Sequence, residues 1–86
     1  MFTGIIETIG IVDSISKRGN NLDITIMSSI SKDLKPDKSV SHNGVCLTIT
    51  KSNKISHSVT LVNETLNKSN FLTIKKGSII NLERSL

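Results

Sequence analysis

The 86-residue sequence is poor in aromatic residues, and this shortage argues against one class of protein. Trp and Tyr are absent, and Phe2 and Phe71 are the only aromatic residues. Proteins that bind single-stranded nucleic acids stack bases on several aromatic side chains, and two phenylalanines are too few for that. The lysines behind the net charge of +4 are scattered along the chain. We interpret them as exposed residues of turns and strand edges and expect no nucleic-acid partner, which leaves a nucleic-acid-binding barrel as a remote alternative.

Cysteine and long apolar runs are also scarce, and both shortages bear on location. Cys46 is the only cysteine, so no disulfide can form within the chain and nothing indicates an oxidising compartment. No stretch approaches the roughly 18 consecutive apolar residues of a membrane-spanning helix. Glu7 interrupts the early apolar stretch, which argues against a secretory signal. We expect a cytoplasmic protein without a membrane partner.

The chain is rich instead in Ile, Val and Thr, placed so that apolar residues recur at every second position. β-Branched side chains favour an extended backbone, and this alternation is typical of strands with one buried face. Turn residues follow at intervals of roughly 8–12 positions, as in small all-β domains. The expected strands cover about Gly4–Ser16, Leu22–Ile26, Ser39–Ser41, Val45–Thr50, Ile55–Leu61 and Ile79–Arg84.

The alternation also predicts which residues face the core and which residues form the connections. Asn43-Gly44 is a strong signal for a tight hairpin. Ser31 is expected to cap a helical turn that ends before Pro36, and Asn63 is expected to cap a second short turn. Gly19 and the two asparagines after it can take positive φ in the first turn. The predicted core faces contain Leu22, Ile24 and Ile26, then Val45, Leu47 and Ile49, then Ile55, Val59 and Leu61.

Together these features predict one domain at residues 1–86, an all-β fold with one or two short helical turns. Several short strands of this kind form either a sandwich or a barrel. A small sheet leaves exposed edges unless it closes on itself, which favours the barrel. We therefore predict a small six-stranded antiparallel Greek-key barrel.

Four segments of the chain, in this order and spacing, resemble the riboflavin synthase family. They are Met1–Glu7, Ser39–Thr48, Val62–Leu66 and Asn81–Arg84, and together they span almost the whole sequence. Each segment alone is a weak signal, whereas the four together are specific. Flavin- and lumazine-binding proteins without enzymatic turnover share parts of these motifs, so a non-catalytic carrier remains the alternative.

The resemblance implies an activity and an assembly. Riboflavin synthases transfer a four-carbon unit between two molecules of 6,7-dimethyl-8-ribityllumazine, giving riboflavin and 5-amino-6-ribitylaminouracil, and use neither a metal nor a redox cofactor. Their chains carry two similar barrels and a C-terminal helix, usually assemble as trimers, and form each site between barrels of different subunits. This chain resembles the N-terminal barrel, so we expect the second barrel and the helix to be absent, and the isolated barrel to dimerise and to have little or no activity.

The resemblance also implies a set of ligand-binding residues, each of which has a purely structural alternative. Gly4 can simply begin a strand, a free cysteine such as Cys46 is usually inert, and Asn63 with Glu64 can simply cap a helix. Thr3 and Ser39 are weaker candidates. The implied substrate-binding residues are Gly4, Ile5, Ile6, Cys46, Leu47, Thr48, Thr60, Leu61, Val62, Asn63, Glu64 and Thr65.

The sequence identifies no catalytic residue. The implied reaction needs a base near the C7 methyl group of one lumazine, and histidine has a suitable ordinary pKa. His42 lies at the predicted hairpin, where we expect an exposed structural histidine, and His57 lies within a strand without support from a motif. We assign neither as the base. We expect Phe2 and Thr3 to lie near the site and assign them no catalytic role.

Overall fold

A computed structural model describes residues 2–62 and 74–85. In these ranges six antiparallel strands close into a barrel in the order β1-β2-β5-β4-β3-β6, and β6 returns to β1. This confirms the predicted fold class. The elements are β1 (Thr8–Arg18), β2 (Asn21–Met27), a 3-10 turn (Ser31–Asp33), β3 (Ser39–His42), β4 (Val45–Ser52), β5 (Ser56–Leu61) and β6 (Ile79–Arg84).

The topology is a Greek key because the order of the strands around the barrel differs from their order along the chain after β2. Strands β3, β4 and β5 follow one another as antiparallel neighbours, while β2 pairs with β5 rather than with β3. Strand β6 then fits between β1 and β3, and Leu82 lies opposite both Thr8 and His42. The last described strand therefore closes the barrel.

The core consists of aliphatic side chains directed into the barrel. Ile24, Ile26, Ile49 and Leu61 are completely buried, and Leu47 and Val59 are nearly so, as the alternation predicts. The prediction for Ile55 was wrong, because this residue precedes β5 and its side chain is 64 % exposed.

Strand β1 differs from the simple pattern because its first two isoleucines face outward. Ile9 and Ile11 are about half exposed, at 50 % and 48 %, whereas Gly10 and Val12 face the interior. A Cβ atom on Gly10 would lie 2.5 Å from the Cγ2 of Ile26, so the interior has room only for glycine at this position. In this first half of β1, Gly10 and Val12 thus face the interior in place of the larger isoleucines.

The predicted Asn-Gly hairpin is confirmed between β3 and β4. Asn43 and Gly44 have φ values of 51° and 85°, in the left-handed region that this turn requires. The main-chain N–H of Asn43 donates to the carbonyl of Asn81 at 2.8 Å, and the N–H of Asn81 donates to the Asn43 side chain at 2.7 Å. The hairpin is therefore fastened to β6.

The two predicted helical turns have different outcomes. The turn at Ser31–Asp33 is present, but Ser31 is not its cap, because Ile30 occupies that position and provides no side-chain hydrogen bond. The Ser31 hydroxyl contacts His57 instead. The second turn, beginning at Asn63, falls outside the described residues. Within the described ranges, no helix has the length and apolar character needed to cross a membrane.

Candidate ligand-binding site

A cleft of about 430 Å³ lies where the segment preceding β1 passes beside β6 and the β3–β4 hairpin. Main-chain and side-chain polar groups line it together with exposed aliphatic residues. Ile5 and Ile6 are 71 % and 55 % exposed, so the cleft offers apolar surface beside its polar groups. Its lining residues are Gly4, Ile5, Ile6, Ser41, Asn43, Gly44, Asn81, Leu82 and Glu83.

One of the predicted binding segments lines this cleft, and a second lies next to it. Gly4, Ile5 and Ile6 line it directly. Cys46 lies opposite Ser41 in the β3–β4 pair, so the exposed Cys46 is the next residue beyond the cleft wall on the same face.

The weaker candidate Ser39 belongs to the same outer face. Ser39 lies opposite Thr48, one outward-facing pair further along β3 and β4 from Ser41. Leu47 lies between these pairs with its side chain in the core, so only its main chain can face the outer surface.

The third predicted segment begins on β5, which is separated from the cleft wall formed by β6 by two intervening strands in either direction around the barrel. The Thr60 hydroxyl donates a hydrogen bond to the Asp23 carboxylate at 2.6 Å, so the Thr60 side chain contacts the neighbouring strand β2. Leu61 is completely buried, and Val62 is 48 % exposed just beyond β5. Asn63, Glu64 and Thr65 lie outside the described residues.

A carboxylate at the end of β6 holds the first residues of the chain. The Glu83 side chain accepts hydrogen bonds from the main-chain N–H and hydroxyl of Thr3 at 2.5 and 2.7 Å, and from the N–H of Gly4 at 3.0 Å. The Thr3 hydroxyl in turn accepts from the N–H of Ile5 at 3.1 Å. These bonds, chiefly those from Thr3, lower the pKa of Glu83 below its ordinary value because they stabilise the ionised form. Thr3 therefore reaches the cleft wall through Glu83.

Arg84, which follows Glu83 on β6, binds the other end of the same N-terminal segment. The Arg84 guanidinium donates through Nε to Glu7 at 2.9 Å, and the Arg84 main-chain N–H also donates to Glu7 at 3.0 Å. The hydrogen bonds from Arg84 lower the pKa of the Glu7 carboxyl. Residues 3–7 thus lie along the end of β6, anchored by two adjacent side chains.

His42 is buried, which corrects the expectation of an exposed histidine at the hairpin. Its side chain is completely inaccessible, and that of His57 is 1 % exposed. His42 ends β3 with its ring directed inward, opposite the core residue Leu82. The alternation of β3 carries this signal, because the buried Val40 lies two residues earlier on the same face.

The two histidines belong to a hydrogen-bonded chain whose direction follows from its ends. His42 Nδ1 lies 2.9 Å from the Val40 carbonyl, which can only accept, so Nδ1 carries the hydrogen. In the neutral ring His42 Nε2 then accepts from His57 Nε2 at 2.9 Å, and His57 Nδ1 accepts from the Ser31 hydroxyl at 2.7 Å. Ser28 completes the chain by donating to Ser31 at 2.7 Å.

Comparison with known proteins identifies the family. A profile of the lumazine-binding domain matches residues 3–85, nearly the whole chain. This chain belongs to the lumazine-binding domain family. It is 39 % identical over 87 residues to a riboflavin synthase of Bacillus subtilis and 38 % identical over 94 residues to one of Saccharomyces cerevisiae. Both alignments cover all of this chain and 40 % of the relative, so the domain spans about two fifths of those proteins.

Solved structures agree with this assignment. LumP complexed with riboflavin superposes with a TM-score of 0.88 at 25 % identity, over 98 % of this chain and 46 % of that one. LumP complexed with 6,7-dimethyl-8-(1′-D-ribityl)lumazine gives a TM-score of 0.90 over 100 % of this chain and 48 % of that one. At its 24 % identity, the second match establishes the barrel fold alone. The resemblance to riboflavin synthases drawn from the sequence motifs is confirmed.

Sequence reasoning missed several residues that line the cleft of this lumazine-binding domain. Asn43, Gly44 and the stretch Asn81–Glu83 belong to the motifs that carry the resemblance, but the motifs gave them no role. Ser41 is outward-facing because it lies two residues from Ser39 on β3, and this spacing was the available signal. The polar contacts of Glu83 depend on the path of the N-terminal segment, which no local pattern encodes.

Proposed function

We propose that this lumazine-binding domain binds 6,7-dimethyl-8-ribityllumazine and riboflavin in the cleft beside Gly4–Ile6 and over the adjoining outer face of β3 and β4. The observation that carries the proposal is the convergence of the predicted Gly4–Ile6 segment with Ser41 and Cys46. The names of the relatives and the ligand of the LumP complex with riboflavin provide the chemical class.

The shape and chemistry of the cleft suit such a ligand. A volume of about 430 Å³ falls within the roughly 300–1,000 Å³ of typical small-molecule sites. A flat heterocycle can lie against Ile5 and Ile6 while main-chain groups and Ser41 contact its polar edge. Cys46 would contact the ring without covalent chemistry, and Thr48 with Ser39 would extend the polar surface toward the ribityl chain.

The remaining predicted contacts belong to the far end of the ligand. We assign the ribityl hydroxyls to the stretch Thr60–Thr65, with the Glu64 carboxylate as the strongest acceptor. Thr60 would take part through its main chain, because its hydroxyl already donates to Asp23. Leu61 is buried and would contribute in the same way.

We further propose that the domain supplies one half of a riboflavin synthase site in a longer protein that carries a second barrel. The relatives are about two and a half times as long as this chain, which leaves room for that barrel. The general base remains unassigned in this scheme. His42 and His57 are buried within the barrel and cannot touch a ligand in the cleft. No metal or redox cofactor enters the proposed dismutation, and the domain would work in the cytoplasm.

The outer face of β1 supports the proposed association with another barrel. Ile11 lies opposite Met27 on one side and Ile79 on the other, and the three side chains are 43–63 % exposed. Such an apolar row is a suitable contact for a second barrel or a second copy, giving a dimer of the isolated domain and a trimer of the longer protein. Sedimentation of the 86-residue chain tests this, and a monomer at high concentration would argue against a dimer.

Riboflavin fluorescence provides the test of binding. Titration into the 86-residue domain should quench the flavin, and Ser41→Phe, which fills the cleft, should weaken the affinity about tenfold or more, equivalent to at least about 1.4 kcal/mol. Ser16→Phe is the matched control, because Ser16 is exposed on β1 opposite Asp23, outside the cleft residues. Equal affinities of the two variants, or no quenching by the unmodified domain, would contradict the proposal.

Turnover separates the enzyme from the carrier. The longer protein with both barrels should convert the lumazine into riboflavin, detected by its fluorescence. Binding without conversion would favour a carrier.

A further inference from the structure

The segment before β1 forms one wall of the cleft, although it belongs to no strand. Gly4, Ile5 and Ile6 are exposed and precede the first residue of β1, Thr8. Gly4 has a φ of 82°, a conformation that glycine adopts readily and that other residues rarely do. A segment of this kind keeps one shape only if other groups hold it.

The Glu83 carboxylate contacts this wall at its most irregular point. One of its oxygens accepts two hydrogen bonds from Thr3, and the other accepts one from the N–H of Gly4. The Thr3 hydroxyl also accepts a hydrogen bond from the N–H of Ile5, so Glu83 restrains Ile5 indirectly through Thr3. The main-chain N–H groups of three consecutive residues are thereby fixed, directly or through one hydroxyl, by a single side chain.

We propose that Glu83 is a positioning residue of the ligand site, which holds residues 3–5 in the conformation that forms the cleft wall. This inference rests on the proposed function and adds to it a residue that the family motifs left without a role. Glu83 itself is 9 % exposed, and its acceptor atoms are occupied by the segment, so its effect on the ligand passes through Thr3, Gly4 and Ile5.

Ionised carboxylate is the group that this position requires. It presents acceptors only, and all three groups that face it are donors. Glutamine has the same shape but replaces one oxygen with an NH₂ donor, which would face an N–H or hydroxyl of the segment. The Glu83→Gln variant therefore loses at least one bond and adds an unfavourable donor–donor contact. The ladder between β6 and its neighbours uses main-chain groups and stays intact.

Loosening the segment should weaken ligand binding because the bound conformation must then be ordered at the moment of binding. We expect Glu83→Gln to raise the Kd for riboflavin about tenfold, within the range for loss of a hydrogen bond to a charged group. Glu83→Asp keeps the charge on a shorter side chain and should recover part of the affinity. Asp13→Asn removes the same charge at the irregularity between Val12 and Ser14 on β1, outside the cleft residues, and should bind like the unmodified domain.

Amide hydrogen exchange of the ligand-free domain provides an independent readout. In Glu83→Gln the N–H groups of Thr3, Gly4 and Ile5 should exchange faster, while those of Ile24 and Ile26 in the core keep their protection. A purely structural role would instead accelerate exchange throughout the barrel.

The possible outcomes separate this inference from the proposed function. Weaker binding together with faster exchange confined to residues 3–5 supports the positioning role. Unchanged exchange in Glu83→Gln overturns it, and so does faster exchange with unchanged affinity, because the segment would then not matter to the ligand. If the unmodified domain does not quench riboflavin, the proposed function fails and the assignment of Glu83 to a ligand site fails with it.

Discussion

The domain contains two polar clusters that differ in charge and in location. The chain through His42 and His57 lies inside the barrel among aliphatic side chains, whereas Glu83 lies at its outer surface against the N-terminal segment. Folding lowers the pKa in both clusters, but for opposite reasons. Burial disfavours the charged form of each histidine, while hydrogen bonds favour the charged form of Glu83. A lowered pKa thus keeps the interior histidines neutral, whereas it keeps the carboxylate at the outer surface ionised.

The interior cluster is compatible with the core because every polar atom has a partner. Each histidine uses both ring nitrogens, and in the described part of the chain no buried side-chain nitrogen or oxygen lacks a hydrogen bond. A neutral, fully bonded chain avoids the large desolvation penalty of a buried charge. The barrel can therefore accommodate two histidines only while they remain unprotonated.

Mild acid should break the interior cluster and have the largest effect on stability. Folding lowers the pKa of His42 and of His57 from 6.5 to about 4, so the unfolded chain binds more protons between these values. The free energy of unfolding should then fall as the pH drops from about 6.5 to 4. At about 1.4 kcal/mol per pKa unit, the loss amounts to about 3 kcal/mol for one histidine. Urea unfolding at several pH values measures it.

The carboxylates provide the internal control for this experiment. Glu7 and Glu83 have pKa values below the ordinary 4.5, so their contribution is complete above pH 4.5 and is lost only as the pH falls through those lower values. A decline between pH 6.5 and 5 therefore belongs to the histidines. Constant stability over that interval would show that the interior cluster does not resist protonation.

Removing one hydroxyl from the interior cluster should have an intermediate effect. Ser31→Ala leaves His57 Nδ1 buried without its donor, which costs about 1–3 kcal/mol. The loss should appear as a lower urea midpoint with an unchanged slope. Ser14→Ala is the matched control because Ser14 is exposed on β1, and it should change stability by less than about 0.5 kcal/mol. Equal midpoints for the two variants would argue against the hydrogen-bonded chain.

Breaking an ion pair on the outer surface should have the smallest effect. Glu7→Gln weakens the contact with Arg84, and partly exposed pairs of this kind contribute about 0.2–1 kcal/mol. The difference from the unmodified domain should shrink further at high salt, because ions screen exposed charges. A loss larger than that of Ser31→Ala would reverse the proposed ranking of interior and surface.

Much of the barrel was predictable from sequence because strands leave a local signal. The alternation of Leu22, Ile24 and Ile26 and the Asn43-Gly44 turn require no knowledge of the rest of the chain. The burial of His42 was not predicted, although the alternation of β3 with the buried Val40 carries that signal. The outward direction of Ile9 has no such local signal, because it depends on how closely β1 approaches β2 at Gly10.

The candidate site was predictable in part. Motif resemblance selected Gly4–Ile6, which line the cleft, and Cys46, which lies opposite the cleft residue Ser41. Glu83 and Ser41 could be assigned to the site only from the fold, because each is distant in sequence from the N-terminal segment that it adjoins. The roles of Asn63, Glu64 and Thr65 stay predictions.

The position of β6 between β1 and β3 has a consequence for synthesis on the ribosome. The other five strands of the described barrel emerge first, but β1 and β3 each have one side without a hydrogen-bonded neighbour until Ile79–Arg84 leaves the exit tunnel. During that interval the nascent polypeptide offers two templates for intermolecular pairing. Translational pausing just before β6 should therefore promote aggregation more than pausing after it.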